Sequence, residues 1–111
     1  MERRDYIERL IEQCAAFVRE AVRLAQQGKL QPALLVIRQA EEVVGGPLRG
    51  VLDRLDPGSA VEIAGPLERE RVRLYAELLE QEASLHERLD DPTTAARLRT
   101  RAGALKRALA G

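Results

Sequence analysis

The feature that most constrains the fold is a glycine, Gly28, placed between two stretches of helical periodicity. Glycine readily adopts the left-handed backbone conformation that ends a helix. On its carboxyl side, apolar residues continue at Leu30 and then at Ala33, Ile37 and Ala40. On its amino side they recur at alternating steps of three and four residues, in two adjacent stripes: Ile7, Leu10, Cys14, Phe17, Ala21 and Leu24, and Ile11, Ala15, Val18, Val22 and Ala25. The sequence therefore predicts a helical hairpin that turns at Gly28.

The hairpin has predictable limits. The periodicity predicts a first helix over residues 4–27, beginning either at a capping box of Asp5 and Glu8 or already at Arg3. A second helix is predicted over residues 31–44, where Gly45 and Gly46 stop it. Since the second helix is apolar over most of its circumference, we expect it in the middle of the domain.

The rest of the chain predicts two more long helices after an irregular insert. The insert covers residues 47–66, with a turn at 56–58 and a Ser-x-x-Glu cap starting at Ser59. Helices are predicted over 67–89 and 92–109. We therefore predict a single all-α domain, residues 1–111, with four main helices arranged as two antiparallel hairpins, 4–44 and 67–109, joined by the short helical insert.

Composition and charge exclude several classes of protein. The chain is 45% hydrophobic and 32% charged, and its 18 basic and 18 acidic residues cancel. A chain without net charge has no long-range attraction for nucleic acid or an anionic membrane. No apolar run reaches the length of a membrane span, and no apolar segment of a signal peptide follows the first residues. The lone cysteine, Cys14, is expected to be a buried hydrophobe, and a cytoplasmic location is expected.

The spacing of Gly28, Leu30, Ala33, Ile37 and Ala40 resembles the second half of a tetratricopeptide repeat. This resemblance implies a close helical hairpin and a role in binding protein. A fainter copy surrounds Asp90, which lies 62 residues after Gly28, whereas tandem repeats would be offset by about 34 or 68. It implies two repeat-like hairpins rather than a repeat array. The first eleven residues also resemble the start of an uncharacterised family of small bacterial helical proteins, which carries no activity with it.

Two groups of charged residues are candidate sites. Glu82, His86 and Asp90 share one helix face, but the Glu-x-x-His pattern of di-iron proteins is missing, and ordinary hydrogen bonds are favoured over metal. The second group is the basic side of the fourth helix: Arg97, Arg99, Arg101, Lys106 and Arg107. It makes nucleic-acid binding the alternative function, but charge pairing with the acidic third helix is the favoured interpretation because no aromatic residue interleaves the arginines.

No catalytic motif, metal box or phosphate loop is recognisable, so neither an enzyme nor a cofactor or small-molecule ligand is predicted. The predicted function is a non-catalytic protein-interaction module, either an adaptor or a subunit of a homodimer. Six apolar residues of the insert either cap the core or form the interface with a partner: Leu48, Val51, Leu52, Leu55, Val61 and Ile63.

Overall fold

The computed structural model describes residues 3–111, and it is all-α. No β-strand occurs in this part of the chain. Two 3-10 turns, Gly46–Leu48 and Pro66–Glu68, precede the third and fifth helices. The six α-helices are α1 (Arg3–Gln26), α2 (Leu30–Gly45), α3 (Arg49–Arg54), α4 (Pro57–Ala64), α5 (Arg69–Arg88) and α6 (Pro92–Ala110). The predicted all-α class is confirmed.

The turn between α1 and α2 has the geometry that the sequence predicts. Gly28 has a φ of +77°, in the left-handed region. The backbone N–H of Lys29 donates to the carbonyl of Leu24 (2.9 Å), and that of Gly28 donates to Ala25 (3.0 Å). These two bonds form a Schellman motif, which satisfies carbonyls at the end of α1. The two helices consequently fold back on each other.

The core is centred on α5 more than on α2. Helix α2 packs between α1 and α5 and contributes fully buried side chains such as Ala40 and Val44. Helix α5 contacts α1, α2, α4 and α6 and contains Tyr75, the largest fully buried side chain. The central role of α5 is hidden in the sequence because it also buries three polar residues: Arg71, Glu82 and His86.

The insert is helical and packs on the rest of the domain. Leu52 is fully buried, and Leu48, Val51 and Val61 are partly buried against the core. Leu55 lies at the exposed end of α3, and Ile63 is 59% exposed. Since α4 also packs against α6, most of the apolar surface of the insert is covered by its own chain.

One detail of the insert differs from the expected capping. Helix α4 begins at Pro57, and the side chain of Asp56 accepts a hydrogen bond from the backbone N–H of Ser59 (3.1 Å). The cap is therefore Asp56, and the predicted cap at Ser59 is wrong. Asp-Pro-Gly is typical of a turn, but Pro57 at the first helical position also opens a helix. At α6 the cap is Asp91, whose side chain accepts a hydrogen bond from the backbone N–H of Thr94 (3.2 Å).

Candidate functional site

A polar cleft lies among α2, α3, α5 and α6. We call it the arginine cleft because four arginines line it, together with three carboxyl groups. Its volume is about 470 Å³. The apolar side chains of Leu79 and Leu98 form part of its wall. The charged residues that line it are Arg38 and Glu41 from α2, Arg49 and Asp53 from α3, Glu82 from α5, and Arg97 and Arg101 from α6.

Two carboxyl groups of the cleft are buried and interact with each other. Glu41 is only 3% exposed, and burial, reinforced by the neighbouring carboxyl of Glu82, raises the pKa of Glu41 to about 9. Burial acts in the same direction on Glu82, but hydrogen bonds from Glu41 and His86 outweigh it and lower the pKa of Glu82. The pair therefore holds one proton near neutral pH, and that proton belongs to Glu41. Within residues 3–111, no N–H or O–H group donates to Glu41 Oε2.

Glu82 is also the centre of a short polar chain beneath the cleft. Its Oε2 atom lies 3.1 Å from His86 Nε2 and 3.7 Å from Arg38 Nε. The other ring nitrogen of His86 faces Asp91 Oδ2 at 3.8 Å. The structure thus brings together the predicted Glu82 and His86, but the acid on the far side is Asp91 rather than Asp90, which has a left-handed φ of +61°. In residues 3–111 no group of three or more metal-ligating side chains is arranged to hold a metal ion.

Arg49 and Asp53 connect the cleft to the core. Arg49 lies 3.8 Å from Glu41 Oε1, 3.3 Å from Glu42 Oε1 and 3.8 Å from Asp53 Oδ2. The hydroxyl of Tyr75 donates a hydrogen bond of 2.5 Å to Asp53 Oδ1. Burial and this carboxylate raise the pKa of Tyr75 well above its usual range, so the phenol stays protonated and keeps donating.

The two arginines from α6 have different surroundings. Arg101 donates to the backbone carbonyl of Leu52 from Nε (2.9 Å) and from a terminal nitrogen (2.5 Å), and so fastens α6 to α3. Arg97 forms no hydrogen bond and no ion pair within the described residues, although its charge acts on Asp91 from a longer distance. Arg97 therefore has free donors at the rim of the cleft.

The other basic residues of α6 are mostly paired with α5. Arg99 forms an ion pair with Glu87, and Lys106 Nζ lies 2.7 Å from Glu80 Oε1. The predicted charge pairing between these two helices is confirmed at both positions. Basic side chains that are paired with carboxylates leave less positive charge for binding the phosphates of a nucleic acid.

A second surface feature is an apolar groove between α1 and α5. Ile11 (40% exposed) and Val22 (43% exposed) project at its two ends on α1. Ala15 and Val18 lie between them and are half-buried. The larger part of the groove has a volume of about 390 Å³, and a smaller part adjoins it at Gln81. We call the stripe formed by Ile11, Ala15, Val18 and Val22 the α1 face.

Cys14 lies at the base of this groove and is buried, as predicted. Burial, and secondarily the charge of Glu77, raises the pKa of its thiol to about 11. A thiol that is protonated and buried is a poor nucleophile. Cys14 therefore contributes packing rather than chemistry.

Comparison of the chain with protein-family models gave no match, and comparisons with curated proteins and with solved structures gave none either. The tetratricopeptide resemblance therefore stays a prediction. Among the described helices, none combines the length and the apolar character that a membrane-crossing segment needs.

Sequence reasoning missed the arginine cleft. Its residues come from four helices, so no local spacing joins them. A weak signal was present in Glu41, an acid between the apolar positions Ala40 and Val44 on the buried face of α2. An acid on such a face is buried only with a polar partner, and it could have been flagged for that reason.

Proposed function

We propose that this protein is a non-catalytic protein-interaction module that associates with a second copy of itself through the α1 face. The observation that supports this proposal is the apolar groove between α1 and α5, with Ile11 and Val22 left exposed on its α1 side. Large apolar side chains that line a continuous groove are typical of interaction surfaces. The groove is open along the helix, which suits a helix as the partner.

The spacing of the α1 face supports a helix as partner. Ile11, Ala15, Val18 and Val22 follow steps of four, three and four residues. This is the spacing of the apolar seam in a coiled coil. In an antiparallel pair of α1 helices centred between residues 16 and 17, Ile11 would face Val22 of the partner subunit. Ala15 would likewise face Val18 of the partner subunit. The stripe is therefore complementary to a second copy of itself.

Charges beside the stripe support the same arrangement. Glu12 and Arg19 flank it on one side, both are exposed, and neither takes part in an ion pair within residues 3–111. In the antiparallel pair, Glu12 would face Arg19 of the partner subunit, and the symmetry would repeat this contact. Opposite charges at these positions stabilise such a pair and select its orientation.

The insert offers a smaller exposed apolar surface for self-association than the α1 face does. Of its six apolar residues only Leu55 and Ile63 remain exposed, because the others pack on the core. We also propose that α1–α2 and α5–α6 are two tetratricopeptide-like hairpins joined by the insert. The full burial of Ala33 and Ala40 on α2, which packs against α1, supports that arrangement.

A charge-reversal series tests the proposal. Glu12→Arg alone, or Arg19→Glu alone, would place like charges opposite each other and should shift the protein towards monomer. Glu12→Arg combined with Arg19→Glu should restore the dimer. Sedimentation equilibrium over a wide range of protein concentration measures all four forms. Since both residues are exposed, the monomer fold should be unaffected, and circular dichroism checks this.

Two matched substitutions of exposed apolar residues complete the test. Val22→Glu should abolish association, whereas Leu35→Glu, at a 60% exposed position on α2, should leave it unchanged. A wild-type chain that stays monomeric at the highest concentration would refute the proposal. So would a dimer that resists both single charge reversals.

A further inference from the structure

We propose that the arginine cleft binds a small organic phosphate. The cleft shares no residue with the α1 face, so this binding is independent of self-association. Its volume of about 470 Å³ lies within the usual range of small-molecule sites, roughly 300–1,000 Å³. A bare phosphate would leave much of that space empty, and Leu79 and Leu98 provide apolar wall for an organic group beside the phosphate.

The balance of charge in the cleft is positive. Four guanidinium groups line it, and within the lining only Asp53 and Glu82 oppose them as carboxylates. Glu41 is held in its neutral form, and Glu42, which lies beside Arg49, is exposed outside the lining. Two positive charges therefore remain inside the lining. A phosphate monoester carries about −1.5 to −2 at neutral pH, so it matches this excess. The same excess disfavours a metal cation.

Two of the cleft arginines, Arg38 and Arg49, make only long contacts with carboxylates, whereas Arg101 is bonded to the carbonyl of Leu52. Arg38 and Arg49 lie 3.3–3.8 Å from their carboxylate partners. Outside the cleft, Arg71 lies 2.7 Å from Glu68 and Arg73 lies 2.8 Å from Glu70. Charge-assisted bonds from nitrogen to oxygen have lengths of about 2.7–2.9 Å. Arg38 and Arg49 consequently retain donor capacity for a ligand.

The directions of these donors favour phosphate over a single carboxylate. Arg38 reaches the cleft from α2, Arg49 from α3 and Arg97 from α6. Guanidinium groups that converge from three helices can each contact a different oxygen of a tetrahedral anion. No aromatic side chain lines the cleft, so a stacked nucleic-acid base is disfavoured.

The test uses glycerol 3-phosphate as the organic phosphate, inorganic phosphate as the bare anion, and glycerol as the neutral control. Isothermal titration calorimetry at constant ionic strength in chloride should show one saturable site for glycerol 3-phosphate. Inorganic phosphate should bind the same site more weakly, and glycerol should not bind. Arg97→Gln should weaken glycerol 3-phosphate binding by about tenfold or more, because it removes one charged donor from the anion.

Arg107→Gln is the matched control, since Arg107 is an exposed arginine of the same helix outside the cleft. It should leave the affinity unchanged. Neither variant should alter the melting temperature without ligand, because both side chains are exposed. Equal affinities of the two variants, or no saturable binding of either phosphate by the wild type, would overturn the proposal.

Discussion

Replacing Glu41 by glutamine should make the protein more stable at alkaline pH and leave it nearly unchanged at acidic pH. Glu41 is buried, and its pKa is raised from 4.5 to about 9 by burial and by the neighbouring Glu82. The folded protein therefore keeps a proton that the unfolded chain releases above its own pKa of 4.5. Folding becomes less favourable as the pH rises between these two values.

The size of the effect follows from the interval between the two pKa values of Glu41, 4.5 in the unfolded chain and about 9 in the folded protein. Each pH unit within it costs about 1.4 kcal/mol of folding free energy. Between about pH 5.5 and about pH 8 the wild type should lose about 3 kcal/mol through Glu41 alone. Glutamine is neutral at both values, and its amide can donate to Glu82 in place of the carboxyl proton. The advantage of the variant should therefore grow by about that amount over this range.

Urea denaturation of both proteins at the two pH values measures the difference, and other titrating groups cancel in the comparison. Glu42→Gln is the control, because Glu42 is the adjacent glutamate on α2 and is 71% exposed at its side chain. It should show no such dependence on pH. If the stability difference between wild type and Glu41→Gln is the same at both pH values, the proton is not held by Glu41.

Three further predictions concern packing. Ala40→Leu should lower the free energy of unfolding by about 1–3 kcal/mol, because Ala40 is fully buried on α2, and an unchanged thermal midpoint would contradict the close hairpin. Leu52→Ala should cost about 2–5 kcal/mol in urea denaturation, whereas Leu55→Ala, at an exposed site in the same insert, should cost under about 1 kcal/mol; equal losses would mean that α3 does not cover the core. Cys14 should react slowly with a thiol reagent in the folded protein and rapidly in denaturant, and fast labelling of the folded protein would place the thiol at the surface.

The helices were predictable because their signals are local. Gly28 ends α1 through its own backbone freedom, and the apolar period on either side needs no distant partner to be recognised. Asp91 and Pro92 specify the start of α6 in the same way. The cap at Asp56 was missed because Asp-Pro-Gly is equally typical of a turn, and only the packing of α4 on α6 decides between the two.

The candidate sites were predictable only where one helix carries them. The apolar stripe of α1 follows from spacing alone, but the sequence placed the candidate interface on the insert, and the exposure of the stripe depends on how α5 packs beside it. The arginine cleft could not be derived, because Arg38 and Arg97 are 59 residues apart and meet only through tertiary packing. Burial of Glu41 is likewise a property of the assembled helices, and its shifted pKa depends on a carboxyl group from α5.

The bond from Arg101 to the carbonyl of Leu52 has a consequence for the order in which the domain opens. Leu52 lies in the last turn of α3, where the carbonyl groups of a helix have no partner within the helix. Its carbonyl is satisfied by a side chain from α6, nearly fifty residues later in the chain. When α6 detaches, α3 loses this bond, and α4, which packs on α6, loses its cover. Amide hydrogens in α3 and α6 should therefore exchange with solvent through one shared opening event, with the insert and the last helix acting as a single cooperative unit.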